Sequence, residues 1–362
     1  MVEVFLFLLV FLLAYSNGAN DISKGIATLV GSGTSGKRAA ILWGVGTTAL
    51  GSLTAVYAGG LLLAVFSKGV LIEGAGLGSI AAAVACGSAV WVLVSSRLGL
   101  PVSTTHALVG GIVGAGVAQF SVSGIIWTAL TTKALLPLLL SPIISFGLSY
   151  FVFPTVSRKL ARCNEYCLCV QKGESVVASS NLLAMSIPSI HIIGDEVKAC
   201  EAESKDQISL RLTDSLHFLS GGLTSFARGV NDTPKIAALL VGAHAVTAGS
   251  ITLSYVIVGL GIVVGGLVGG RRVIETLSRR ITSLDPIEGF ASNAVTAMLV
   301  TAGSFFGLPF STTHVSTSSI VGIGVSARGT VHWNVVRDIL FAWLVTLPTA
   351  GVVAFTIQKL IF

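Results

Sequence analysis

The residue types best suited to chemistry occur twice, at matching places in two apolar stretches. Residues 18–24 read G-A-N-D-I-S-K, and residues 229–235 read G-V-N-D-T-P-K. An ionisable side chain is expensive inside a membrane segment and usually marks a functional site. Asp21 and Asp232 supply carboxylate oxygens, and the Asn before each adds an amide oxygen, which are ligands that hard cations prefer. The repeated pair therefore predicts a cation site, with caps of half-helices as the alternative.

A second repeated motif, P-x-S-T-T-H, predicts the start of a helix. Ser or Thr suits the N-cap, and Pro suits the first turn. The free N–H groups and the dipole at such a helix end favour anions such as phosphate. The alternative is that the hydroxyls bond back to their own helix. Because the motif occurs twice, we interpret it as an anion site built from two hydroxyl triplets: Ser103, Thr104, Thr105, Ser311, Thr312 and Thr313.

The two motifs together favour transport. Two carboxylates beside an oxyanion would repel it strongly in a low dielectric, unless cations bind between them or the carboxylates take up protons. Coupled movement of a cation and an anion is the resulting hypothesis. An anion channel would not need the Asp pair, and a membrane hydrolase would need a nucleophile–base motif that we do not recognise. We therefore expect a transporter rather than an enzyme.

Three further pairs of residues are accessory candidates: Lys24 and Lys235, Glu73 and Glu288, and His106 and His314. Each lysine follows its Asp by three residues, so it can pair with that Asp, attract the anion or extend to a membrane face. The glutamates suit helix starts, with a peripheral cation site as the alternative. The histidines are expected to orient a hairpin as neutral donors, with a proton relay as the alternative.

The composition requires a membrane to surround these motifs. The chain has 362 residues, of which 53% are hydrophobic and 10% are charged, whereas a soluble domain carries about 25% charged residues. We predict an all-α polytopic protein with ten to twelve transmembrane elements. Two blocks, 2–30 and 209–245, should contain broken helices at their N-D motifs, where Gly and Pro loosen the backbone. The short blocks 102–118 and 310–325 could be re-entrant hairpins.

The landmarks divide the chain into two repeats. The N-D motifs match at an offset of 211, and the S-T-T-H motifs match at 208. Because each half has an odd number of crossings, we predict two inverted-topology repeats, residues 1–154 and 208–362, with the site where they meet. Residues 155–207 form a polar connector, expected to contain some helix and some disorder. Its Cys cluster, with spacing C-x3-C-x-C, is expected to hold free thiols rather than a metal.

Basic residues in the short loops set the orientation. They fall on one side of the membrane if both termini are outside and the connector is cytoplasmic. The net charge is +6, and the basic residues lie mainly in these short loops. They therefore indicate membrane topology and do not predict a nucleic-acid partner. We expect a multi-pass protein of the cell membrane.

The paired motifs resemble those of the PiT family of inorganic phosphate transporters. The resemblance covers both membrane halves and excludes the connector. It implies inorganic phosphate as the substrate, the lipid bilayer as the surroundings and a homodimer as the assembly. It also implies that phosphate and cations bind between the N-D and S-T-T stretches, so Asn20 and Asn231 join the phosphate ligands. Many members of the family carry Asn where this chain has Lys24, which leaves the role of that position open.

The oxygen-rich ligand set favours sodium as the coupling ion. The expected sodium ligands are Asp21, Asp232, Asn20, Asn231, Thr104 and Thr312. We expect no cofactor apart from these coupling ions. Proton coupling, a metal–phosphate substrate and sulfate transport stay open as alternatives.

Overall fold

The first half of the chain folds into helices joined by short turns. The computed structural model describes residues 2–71, 76–161, 166–177, 185–196, 208–243 and 251–362. The helices of this half are α1 (Val2–Asp21), α2 (Ser23–Gly31), α3 (Lys37–Ala58), α4 (Gly60–Lys68), α5 (Leu77–Leu98), α6 (Thr104–Phe120), α7 (Trp127–Ala129) and α8 (Leu136–Ala161). A π-helical turn, Leu130–Leu135, joins α7 to α8.

The second half repeats this order of long and short helices. Its described helices are α9 (Leu212–Gly242), α10 (Ile251–Val268), α11 (Arg271–Glu275), α12 (Pro286–Phe305), α13 (Thr312–Ser326) and α14 (Trp333–Leu360). By sequence offset, α9 corresponds to α1 and α2 together, α10 to α3, α12 to α5, α13 to α6, and α14 to α8.

Six described helical stretches are long and apolar enough to cross a membrane. They are Val4–Gly31, Lys37–Ala58, Leu77–Leu98, Trp127–Ala161, Ile251–Val268 and Trp333–Leu360. Helix α9 has 31 residues, also enough to cross, but it carries the charged residues of the second N-D motif. A helical, multi-pass membrane protein is therefore confirmed.

Neither predicted helix break interrupts the path of its helix. Helix α1 ends at Asp21 and α2 begins at Ser23, but Ile22 between them has helical dihedral angles and its amide donates to the Gly18 carbonyl at 3.2 Å, so the first N-D motif carries a one-residue irregularity rather than a full break. Helix α9 runs without a break through Gly229 and Pro234, and the predicted break there is wrong. Pro234 removes only one backbone donor. The turn around it is supported by packing against Gly59 and by Thr233 Oγ1, which donates to the Gly229 carbonyl at 2.8 Å.

The connector contains strands where helix was expected. Strands β1 (Tyr166–Val177), β2 (Met185–Glu196) and β3 (Ile208–Arg211) form an antiparallel sheet in the order β2-β1-β3. Four Ile residues lie within the twelve residues of β2 and explain the difference, since β-branched residues favour strands. Cys163 and Cys200 lie outside the described residues, as does Glu73. Within the described part, Cys86 is a free thiol, and no group of His, Cys, Asp and Glu could hold a metal ion.

The two halves exchange packing partners in a symmetric way. Helix α1 packs on α10, while α9, the counterpart of α1, packs on α3, the counterpart of α10. In the same way, α6 packs on α14 and α13 packs on α8. The long helices of each half therefore pack against helices of the other half, and residues from both halves line the interior between them.

The glycines of the N-D motifs permit this close packing. A Cβ atom on Gly18 would lie 2.0 Å from the carbonyl oxygen of Ile262 in α10. A Cβ atom on Gly229 would lie 2.4 Å from the carbonyl oxygen of Thr48 in α3. These glycines were expected to let the backbone leave helical geometry, but both lie within helices. Their role is to let helices of opposite halves touch, as small residues commonly do in membranes.

Candidate functional site

Both S-T-T-H motifs form helix N-termini, as predicted. Ser103 is the N-cap of α6, and its Oγ accepts a hydrogen bond from the His106 amide at 3.1 Å. Ser311 caps α13 in the same way, accepting from the His314 amide at 3.2 Å. The prolines lie two residues before the caps rather than in the first turn. The two serine hydroxyls therefore serve their own helices, which is the alternative that the sequence left open.

These two N-termini meet in the protein interior. Thr313 Oγ1, on α13, donates to the carbonyl of Val102, just before α6, at 2.8 Å. The imidazole rings of His106 and His314 are in contact, with their centroids 4.4 Å apart and their planes tilted by 41°. The first N–H groups of a helix have no partner within it. Two sets of such donors are therefore brought together, in a region where the side chains of both motifs are buried.

The two aspartates lie beside the same amide group. Asn17 Nδ2 is 3.0 Å from Asp21 Oδ2 and 3.2 Å from Asp232 Oδ2. The same nitrogen is 3.1 Å from Thr104 Oγ1, at the start of α6. Asn17 thus joins the aspartates of both N-D motifs to one S-T-T motif.

The lysines point inward and do not extend to a membrane face. Lys24 Nζ is 3.2 Å from Asp21 Oδ1, and Lys235 Nζ is 3.6 Å from Asp232 Oδ1. Both lysine side chains are only 1% exposed. Lys235 Nζ also donates to Thr105 Oγ1 at 3.0 Å. Of the roles considered for the lysines, pairing with the neighbouring Asp describes this conformation.

The asparagines of the N-D motifs hold the segments that precede α6 and α13. Asn20 Nδ2 donates to the Leu100 carbonyl, and Asn231 Nδ2 donates to the Phe310 carbonyl, both at 3.1 Å. Ser304 Oγ donates to Asn231 Oδ1 at 3.2 Å. Both amides thereby position an S-T-T motif. Their direct contact with phosphate or sodium stays a prediction.

A buried arginine was missed in the sequence. Arg228 lies four residues before Asp232 and is 2% exposed, and its Nη2 donates to Thr48 Oγ1 at 2.9 Å. Its Nε and Nη1 have no hydrogen-bond partner among the described residues. The negative charges of Asp21 and Asp232 both attract the positive guanidinium of Arg228. The signal was available, because Arg228 and Asn17 match at the same offset of 211 as the N-D motifs.

Buried cationic side chains surround the two aspartates. Lys24, Lys235 and Arg228 supply three buried cationic groups against the two carboxylates of Asp21 and Asp232. An anion can bind beside these carboxylates only if cations lie near them or if the carboxylates take up protons. In this conformation the protein itself provides the cations.

The remaining accessory candidate lies away from this cluster. Glu288 forms a capping box with Asp285 at the start of α12, with both hydrogen bonds at 2.8 Å. This is the helix-start role that the sequence favoured.

The fold and this cluster of buried polar groups together define a class of protein: a polytopic membrane transporter built from two similar halves. The chain belongs to the phosphate transporter family, whose sequence profile matches residues 17–354. The resemblance stated from the paired motifs is thereby confirmed.

Individual relatives match along nearly the whole chain. A putative phosphate permease of Pyrococcus furiosus is 28% identical, over 97% of this chain and 94% of its own length. A probable low-affinity inorganic phosphate transporter of Mycobacterium tuberculosis is 29% identical, over 98% of this chain and 77% of its own length. A solved structure named as the sodium-dependent phosphate transporter has a TM-score of 0.79 and 22% identity, and covers 100% of both chains. That likeness confirms the fold.

Proposed function

We propose that this protein moves inorganic phosphate across the cell membrane by symport with sodium. Membership of the phosphate transporter family supports phosphate as the substrate, and so do the names of the two relatives. Sodium as the coupling ion is supported by the name of the similar structure and by the oxygen ligands around Asp21 and Asp232.

The observation that carries the proposal is the meeting of two helix N-termini beside a cluster of opposite charges. Phosphate carries several acceptor oxygens, which suit the free N–H groups at the starts of α6 and α13. Thr104 and Thr105 on one side, and Thr312 on the other, add hydroxyl donors, while the hydrogen bond from Thr313 to the Val102 carbonyl holds the two helix starts together. Since the N-terminus of each helix is positive, the pair attracts one anion from two sides. Ser103 and Ser311 contribute by capping these helices.

Sodium has carboxylate and neutral oxygens available at each N-D motif. We assign Asp21 to one sodium position and Asp232 to the other, with Thr104 and Thr312 as the hydroxyl ligands nearest the phosphate. Bound sodium would offset the repulsion between phosphate and the carboxylates. This dependence of anion binding on cation binding couples the two fluxes.

Inverted repeats give a route for alternating access. The symmetric exchange of packing partners supports two repeats of opposite orientation, with the site between them near the bilayer midplane. We further propose that both termini are outside, that the connector is cytoplasmic, and that the protein functions as a homodimer.

Uptake of radiolabelled phosphate into proteoliposomes tests the proposed function. Sodium and proton gradients are imposed separately, with sulfate as a competitor. We expect a sodium gradient alone to drive uphill accumulation of phosphate, and excess sulfate to leave it largely unchanged. Accumulation driven only by a proton gradient would identify the alternative coupling ion. Purely passive flux would favour a channel.

A further inference from the structure

The ammonium group of Lys24 lies in a pocket of oxygen atoms. Its Nζ is 3.1 Å from the Asn20 carbonyl, 3.0 Å from Asn20 Oδ1 and 3.2 Å from Asp21 Oδ1. Ser23 Oγ lies at 3.4 Å. A backbone carbonyl, an amide, a hydroxyl and a carboxylate make up this set, and hard cations select such oxygen ligands.

Lys235 also lies among oxygen atoms, although these come from both halves of the chain. Its Nζ is 2.9 Å from the Phe310 carbonyl, 3.0 Å from Thr105 Oγ1 and 3.6 Å from Asp232 Oδ1. A lysine ammonium is a compact point charge with three donors. It can therefore occupy the place of a small monovalent cation while remaining attached to its helix.

We propose that Lys24 and Lys235 act as tethered cations, which occupy the oxygen pockets beside Asp21 and Asp232 and compete there with free sodium. This inference rests on the proposed sodium coupling, because it concerns the same two positions. A sodium ion then binds only after an ammonium group leaves its pocket. The lysines thereby set the sodium concentration at which the carrier loads.

The charges in each pocket also prevent the ammonium group and sodium from binding there together. Each pocket contains one carboxylate, and the ammonium beside it already neutralises that charge. Adding sodium while the ammonium remains would place two like charges within a few ångströms in a buried site, which is strongly unfavourable. Removing the ammonium leaves a buried carboxylate without its partner, a state that a cation relieves.

Binding of radioactive sodium to the purified full-length protein tests the proposal without requiring transport. We expect Lys24→Met and Lys235→Met each to raise sodium affinity by at least about tenfold, which corresponds to 1.4 kcal/mol. Lys24→Gln repeats the test with a polar side chain, in case the Met variant fails to fold. Lys359→Met, which changes an exposed lysine on α14, should leave affinity unchanged.

A double variant identifies the pocket as the source of the effect. Asp21→Asn combined with Lys24→Met removes the carboxylate together with the ammonium, and should abolish the gain in sodium affinity. Unchanged affinity in both single lysine variants would overturn the tethered-cation proposal. If the single variants gain affinity while sodium stimulates phosphate uptake in none of the proteins, then the proposed coupling fails and the tethered cations stand.

Discussion

Asn17 and Arg228 occupy equivalent positions, each four residues before an aspartate, yet they carry different charges. Asn17 touches both aspartates, whereas Arg228 keeps two nitrogen atoms without partners among the described residues. The matching N-D pairs could be found in the sequence because their letters agree. The pair of Asn17 and Arg228 was missed because the two residue types differ, although the sequence offset is the same.

Replacing Arg228 should weaken phosphate binding. Arg228→Met removes one of three buried cationic groups and lowers the positive potential that attracts the anion. We expect the KM for phosphate uptake to rise by about tenfold, the effect of losing roughly 1.4 kcal/mol of favourable interaction. Arg337→Met is the matched control, since Arg337 is exposed on α14. An unchanged KM for Arg228→Met would show that the guanidinium has only a structural role.

Replacing either aspartate should abolish coupled uptake. Asp21→Asn or Asp232→Asn removes a carboxylate from a sodium position and leaves a buried lysine without its ion-pair partner, which is costly. We expect sodium-driven phosphate accumulation in proteoliposomes to fall to the level of empty liposomes. Asp338→Asn, which changes an exposed aspartate, should keep full activity. Retention of full transport by either site variant would contradict the assignment.

At the scale of the elements, sequence patterns located the helix starts better than the helix breaks. Ser103 and Ser311 cap their helices as predicted because N-cap chemistry is local. Pro234 does not break α9, because the helix is held by neighbours that sequence patterns do not reveal. The strands of the connector were missed for a related reason. The polar composition of the connector suggested disorder, so the strand preference of the four Ile residues in β2 was overlooked.

The close contacts of Gly18 and Gly229 predict a loss of stability on substitution. Gly18→Ala and Gly229→Ala place a methyl group against a backbone carbonyl of the opposite half. We expect each to destabilise the protein by about 1–3 kcal/mol, typical of overpacking, and to lower the unfolding temperature in detergent. Gly46→Ala is the control, because its Cβ would meet no atom within 4 Å. Equal unfolding temperatures for all three variants would contradict this packing role.

At the scale of the whole molecule, the landmarks in the sequence predicted the repeats, and the exchange of helix partners supports them. Orientation in the membrane rests on loop charges, so it is tested separately. Ser123 and Gly329 are exposed and match at an offset of 206. In a cysteine-free background, Ser123→Cys should react with an impermeant maleimide in intact cells, whereas Gly329→Cys should react only after permeabilisation. Labelling of both from the same side would exclude inverted topology.

The central claim is that the two S-T-T motifs build one phosphate site together. Equilibrium binding of radiolabelled phosphate to the purified protein tests it most directly. We predict one phosphate per chain in the wild-type protein, and loss of binding in both Thr105→Val and Thr313→Val, because Thr105 supplies a hydroxyl to the site and Thr313 holds the start of α13 against that of α6. Two phosphates per chain, or a wild-type affinity in either variant, would contradict the account.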